Sequence, residues 1–167
     1  MIEFGYLNKN EFDKYARGLF AVLCENMSQI APTGNDPEED FKFWSQAMNE
    51  ELQSEKRQII MIIHKESEKI IGYFQYSVNE NVFMMEEIQI DQAYQGRNNI
   101  FRDLYGVVFE NMEAGVEVVE AYANKKNTKS MGILERLGLK IVGENQRGTS
   151  YFFRGAYTDL LKWFEGK

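Results

Sequence analysis

The stretch Tyr94-Gln95-Gly96-Arg97-Asn98-Asn99-Ile100-Phe101-Arg102-Asp103-Leu104-Tyr105 decides the reading of this chain. It follows an apolar, strand-like run from Val82 to Ile90 and leads into residues spaced as a helix. A tight turn there aims the first amides of the helix outward. Free amides at a helix start, reinforced by the helix dipole, form a natural anion site.

Working outward, Leu104, Tyr105, Val108, Phe109 and Met112 form one face of the helix, which is expected to end near Gly115. Before the turn lie three β-like runs, Gln58 to His64, Ile70 to Val78 and Val82 to Asp91, joined by short polar turns that predict an antiparallel meander. After it come a strand over Val116 to Ala123 and a helix over Asn127 to Leu137 with Gly138 as its C′ residue. A hairpin of Leu139 to Gly143 and Ser150 to Phe153 follows, then a helix over Ala156 to Phe164. Toward the N-terminus, Phe12, Tyr15, Ala16, Leu19, Phe20 and Leu23 mark a helix that Asn10 would cap. Pro32 to Pro37 reads as a loop, with Asp36 capping a second helix that carries Phe41, Trp44 and Met48 inward.

The predicted order is α-α-β-β-β-α-β-α-β-β with a terminal helix: an α/β protein whose mixed, mostly antiparallel sheet is flanked by helices. At 167 residues the chain is expected to form one domain over 1–167.

A net charge of -7 argues against nucleic acid, which requires a Lys/Arg surplus, and suits a cationic acceptor. Cys24 is the only cysteine, so no internal disulfide and no cysteine-based zinc cluster can form. It sits in the apolar stripe of the first helix, where packing is the expected role. No apolar run approaches 18 residues, so no membrane span is expected, and the expected location is cytoplasmic. A single histidine, His64, with scattered carboxylates gives no metal-ligand spacing, so no metal is expected.

Four ordered features resemble the GNAT N-acetyltransferase family. Ile70-Ile71-Gly72-Tyr73 is similar to its third strand, and Glu87-Ile88-Gln89-Ile90-Asp91 with Tyr94-Gln95-Gly96 is similar to its fourth strand and acyl-coenzyme-A loop. Asn127-Thr128-Lys129-Ser130 matches the Asn-x-x-Ala/Ser that opens its next helix, and Leu134-Glu135-Arg136-Leu137-Gly138-Leu139 resembles its Tyr-x-x-x-Gly-Phe. The family loop is written Arg/Gln-x-x-Gly-x-Gly/Ala. Gln95 and Gly96 align with it directly. Aligned from the left, Asn98 and Ile100 stand at the two later glycines; aligned from the helix, Asn99 and Phe101 do. An asparagine there is expected to tolerate positive φ, whereas Ile or Phe predicts crowding where backbone must approach a phosphate.

The resemblance implies acetyl transfer from acetyl-coenzyme A to an amine acceptor by direct attack. It places the pantetheine arm on the backbone of Ile88 and Ile90 and the pyrophosphate on the backbone of Gln95, Gly96, Arg97, Asn98, Asn99, Ile100 and Phe101. Arg97 is also a candidate phosphate partner, and Asn127 and Ser130 are further cofactor candidates. Glu86 and Glu87 are the candidate bases; strand alternation sends one to each face. Leu134 occupies the position where the family often has an acidic Tyr, leaving Tyr151, Tyr122 and Tyr105 as candidates for that role. The alternative is a GNAT-like coenzyme-A-binding or interaction domain that has lost turnover. A homodimer is expected by analogy alone.

Overall fold

The computed structural model describes residues 1–28, 33–54, 56–96 and 99–166. Among them, the strands are β1 (Ile2–Tyr6), β2 (Arg57–His64), β3 (Lys69–Asn79), β4 (Val82–Ile90), β5 (Val118–Asn124), β6 (Lys140–Glu144) and β7 (Ser150–Ala156). The helices are α1 (Phe12–Met27), α2 (Pro37–Glu51), α3 (Ile100–Glu110), α4 (Thr128–Arg136) and α5 (Tyr157–Glu165). The strands form one mixed sheet in the order β1-β2-β3-β4-β5-β7-β6. β4 and β5 pair in parallel, whereas β1–β2, β5–β7 and β6–β7 are antiparallel.

Every element expected from the sequence is present, with ends moved by a few residues, and β1 is additional. Its Ile2, Phe4 and Tyr6 alternate with Glu3 and Gly5, too short a pattern to read alone. It acquires its structure from a partner remote in the chain, with Ile2 opposite His64 and Tyr6 opposite Ile60. One cap also differs. Asn10 does not cap α1; instead Asn8 accepts from the Asn10 amide at 3.1 Å and starts a 3-10 turn over Lys9–Glu11 that feeds the helix. Met112 falls beyond the end of α3.

The chain divides into two compact units, Met1–Gln75 with Glu87–Ile100, and Tyr76–Glu86 with Phe101–Lys167. In the first, Phe12, Ala16, Leu19 and Val22 bury one stripe of α1 against Met48 and Leu52, the β2 residues Ile59 and Met61, and Ile70 and Tyr73 of β3. Burying each large side chain there contributes about 1.5–3 kcal/mol. Phe20, Phe41 and Trp44 extend this core with ring centroids 5.3–6.3 Å apart. Asp36 stands in extended backbone ahead of Pro37; among the described residues its side chain makes no cap bond to the helix, but its carbonyl accepts from Asp40 at 3.0 Å. Pro32 lies outside the described residues.

In the second unit, α3 buries Leu104, Tyr105 and Val108, and Phe83, Val119, Phe153 and Leu160 are fully enclosed. Gly138 takes φ +99° just after α4, as a C′ glycine should. β7 is the spine of this unit, pairing β5 from Ser150 opposite Asn124 to Ala156 opposite Val118.

Candidate functional site

The turn that opens α3 is built from β4 outward. The Asp91 carboxylate accepts from the Ala93 amide at 2.9 Å and starts a 3-10 turn over Gln92–Tyr94. Gln95 then folds back, its Nε2 donating to the Ile90 carbonyl at 2.8 Å. Gly96 follows at φ +71°, and Asn99 at φ +54° precedes the helix. Glycine adopts the left-handed region at no steric cost, and asparagine is among the few other residues that visit it. Arg97 and Asn98 lie outside the described residues.

The two bulky residues expected to crowd this turn do not point into solvent. Ile100 is 2% exposed. Phe101 packs edge-on against Tyr105 and Trp163, with centroids 5.1 and 5.8 Å away. Apolar burial thus commits Ile100 to the interior and holds the half-buried Phe101 against Tyr105 and Trp163, while the loop requirement concerns only their backbone.

At the end of β4 the Asp91 amide donates to the Ile71 carbonyl at 2.7 Å. Strand alternation then directs the backbone groups of Ile88 and Ile90 toward the other edge. The Ile90 carbonyl is already engaged twice, by Gln95 and by Asn26 Nδ2 at 3.0 Å. The parallel ladder of β4 and β5 runs from Val82 opposite Val118 to Met85 opposite Ala121. β4 itself continues to Ile90 and β5 to Asn124.

Glu86 and Glu87 are both half-buried. Glu87 accepts from Gln89 Nε2, and Gln89 Oε1 accepts from Asn26 Nδ2 at 2.9 Å. Tyr73 is 1% exposed, and burial first, then the Glu87 charge, pushes its phenol well above the ordinary range. Among the described residues, its hydroxyl and Asn26 Oδ1 are buried without a hydrogen-bond partner. Asn26 and Gln89 were not singled out from the sequence. A signal existed for Asn26, an amide on the stripe of Leu19 and Val22, where an apolar residue is expected.

The remaining candidates sit in the second unit. Asn127 caps α4, its Oδ1 accepting from the half-buried Ser130 amide at 3.1 Å. Leu134 is packed at 9% exposure. The half-buried Tyr151 lies under the Lys125 ammonium, 4.8 Å from its ring centroid. Tyr122 is 51% exposed and stacks on Phe152. Tyr105 is fully buried; its hydroxyl donates to Met85 Sδ at 3.1 Å and burial raises its pKa. That places Tyr105 in the core, where it can serve no solvent-borne substrate. His64 shares its Nδ1 with Ser67 Oγ at 2.9 Å at the end of β2.

The first unit therefore gathers Glu87, Ile88, Ile90, Gln95, Gly96, Asn99 and Ile100, and the second holds Glu86, Phe101, Asn127, Ser130 and Tyr151. Among the described residues, no group of three or more His, Cys, Asp or Glu could hold a metal ion, and no helix is long and apolar enough to cross a membrane.

No family model and no curated protein matches the sequence. Solved structures do. The chain is similar to the PaiA N-acetyltransferase of Thermoplasma acidophilum, solved in complex with coenzyme A, at 14% identity over 94% of this chain and 99% of that one, with a TM-score of 0.70. It is similar to a GNAT-family acetyltransferase of Staphylococcus aureus Mu50 at 12% identity, over 93% and 99% of the two chains, with a TM-score of 0.70. Mutant forms of the spermidine/spermine N-acetyltransferase SpeG of Vibrio cholerae match at 12% identity over 97% and 98%, with a TM-score of 0.59. The chain has the GNAT acetyltransferase fold, as its ordered motifs led us to expect.

Proposed function

We propose that this chain is a GNAT-type N-acetyltransferase that moves an acetyl group from acetyl-coenzyme A to an amine. The observation that carries this reading is the turn ahead of α3, where Gly96 and Asn99 both adopt left-handed backbone although the expected glycine run is absent. A loop that keeps this conformation with an asparagine, and tucks Ile100 and Phe101 inward, can still offer amides to a pyrophosphate. The structural neighbours support the same chemistry, since PaiA was solved in complex with coenzyme A and SpeG is named a spermidine/spermine N-acetyltransferase.

In this reading the amides of Gln95, Gly96, Asn99 and Ile100 take the pyrophosphate, and the backbone edge at Ile88 and Ile90 takes the pantetheine arm. Because the Ile90 carbonyl already has two donors, Ile90 contributes its N–H. The acceptor amine attacks the thioester carbonyl, its proton passes to Glu87, and the coenzyme A thiolate leaves. Glu87 is the proposed base because it lies in the same compact unit as Ile88, Ile90 and the loop residues Gln95, Gly96 and Asn99, whereas Glu86 belongs to the other.

One observation favours the second reading, a coenzyme-A-binding or interaction domain without turnover. The packed Leu134 leaves no proton donor at the position of the family tyrosine. Thermal melting with about 1 mM acetyl-coenzyme A tests both, because a bound ligand raises apparent stability by mass action. No shift eliminates acetyl-coenzyme A binding. A shift with no thiol released in the presence of a polyamine and peptide-amine panel favours the domain without turnover.

A further inference from the structure

Around Glu87 the first unit carries a continuous run of side-chain amides. Gln95 Nε2 and Asn26 Nδ2 both donate to the Ile90 carbonyl, at 2.8 and 3.0 Å. Asn26 Nδ2 also donates to Gln89 Oε1 at 2.9 Å, and Gln89 Nε2 donates to the Glu87 carboxylate. The two ends are the loop glutamine and the base of the proposed reaction.

The order of donors in this run leaves Gln89 one orientation. Its oxygen faces the Asn26 amide hydrogens, so its own amide hydrogens face Glu87. Turning the amide over would set oxygen against carboxylate and NH2 against NH2, two repulsions in place of two bonds. Asn26 is 8% exposed, so bulk water cannot readily replace it as the anchor. Its own orientation is set twice, by Gln89 and by the Ile90 carbonyl.

We propose that Gln89, oriented by Asn26, is the positioning residue of the Glu87 carboxylate, an inference that rests on Glu87 being the proton acceptor. A directed N–H holds one carboxylate oxygen and favours the charged form, which is the form that can take a proton from the acceptor amine. The buried Tyr73 hydroxyl on β3 is the neighbouring titratable group, and Glu86 is the adjacent carboxylate on β4.

The test is carboxyl-carbon NMR titration of the full-length protein labelled at glutamate, with the Glu87 signal assigned by its loss in Glu87→Gln. In Gln89→Met, which keeps the side-chain length and removes the donor, the Glu87 midpoint should rise by about half a pH unit or more. Asn26→Leu should move it the same way by releasing the Gln89 amide, and it serves if Gln89→Met does not fold. An unchanged Glu87 midpoint in a folded variant overturns the proposal. The titration is made without acetyl-coenzyme A, so this failure is distinct from that of the functional reading, which is an absent thermal shift with acetyl-coenzyme A.

Discussion

Gly72 lies so close to β4 that a Cβ added to it would sit 2.6 Å from the carbonyl oxygen of Gln89. The same atom would stand 3.0 Å from Ile62 Cδ1 and 3.3 Å from Ile90 Cα. The partner at 2.6 Å is backbone, so relief requires β3 and β4 to move apart exactly where Gln89 and Ile90 carry the amide network. Gly72→Ala should therefore destabilise the chain by about 1–3 kcal/mol, seen as a lower urea midpoint at unchanged slope. A midpoint equal to that of the parent would show that the strands yield without cost.

Asn99 carries the second left-handed conformation of the loop. Asn99→Val places a β-branched side chain at φ +54°, with a cost of about 1–2 kcal/mol. Asn99→Gly should be neutral or slightly stabilising in the folded loop. Melting curves with and without acetyl-coenzyme A should show the valine variant losing much of the ligand shift and the glycine variant keeping it.

Glu87→Gln should lower turnover by about a hundredfold or more while leaving the acetyl-coenzyme A shift intact, because it removes the proton acceptor and not the binding groups. Spermidine is the probe amine, and released thiol is the readout. Turnover unchanged in Glu87→Gln and in Glu86→Gln alike would remove the β4 carboxylates from the reaction.

The buried phenols predict an alkaline limit to stability. Burial raises the folded-state pKa of Tyr73, with Glu87 adding to it, and burial alone raises that of Tyr105. The unfolded tyrosines ionise near their ordinary value of about 10. The stability these groups contribute is full below that pH and is lost as pH rises from there toward the folded values, because the unfolded chain then binds fewer protons. Each phenol should steepen the loss by about 1.4 kcal/mol per pH unit. Urea unfolding from pH 9 to 11, compared with Tyr73→Phe, measures it; identical slopes would contradict the assignment.

Asn127 should behave as a helix cap. Asn127→Ala removes the acceptor of the Ser130 amide and should cost about 0.5–2 kcal/mol, whereas Asn127→Asp should retain most of it. Equal midpoints for Asn127→Ala and the parent would leave the cap without energetic weight.

Local chemistry made the fold legible. Apolar spacing marked α1 and α3, short polar turns marked the β2–β3–β4 meander, and Gly138 marked the end of α4. Those signals act over a few residues and do not depend on a partner. β1 escaped because a five-residue strand is defined by its pairing with β2, nearly sixty residues away. Asn10 does not cap α1 because Asn8, two residues earlier, supplies the oxygen and starts a 3-10 turn ahead of the helix.

The sequence by itself determined the element order, the GNAT resemblance, and the residues of the loop, including the asparagines at its glycine positions. It could also nominate Glu86 and Glu87, since both follow from position along one strand. Only the tertiary structure decided that Ile100 and Phe101 turn inward and that Tyr105 is a core residue. Only it decided, too, that Glu87 is held by Gln89 while Asn26 anchors Gln89. The Glu87–Gln89 pair is local, two residues apart, but the orientation of Gln89 depends on Asn26, 63 residues away, as the packing of Phe101 depends on the distant Trp163. Burial, and the need to satisfy polar groups once buried, selects among them only when the chain has closed.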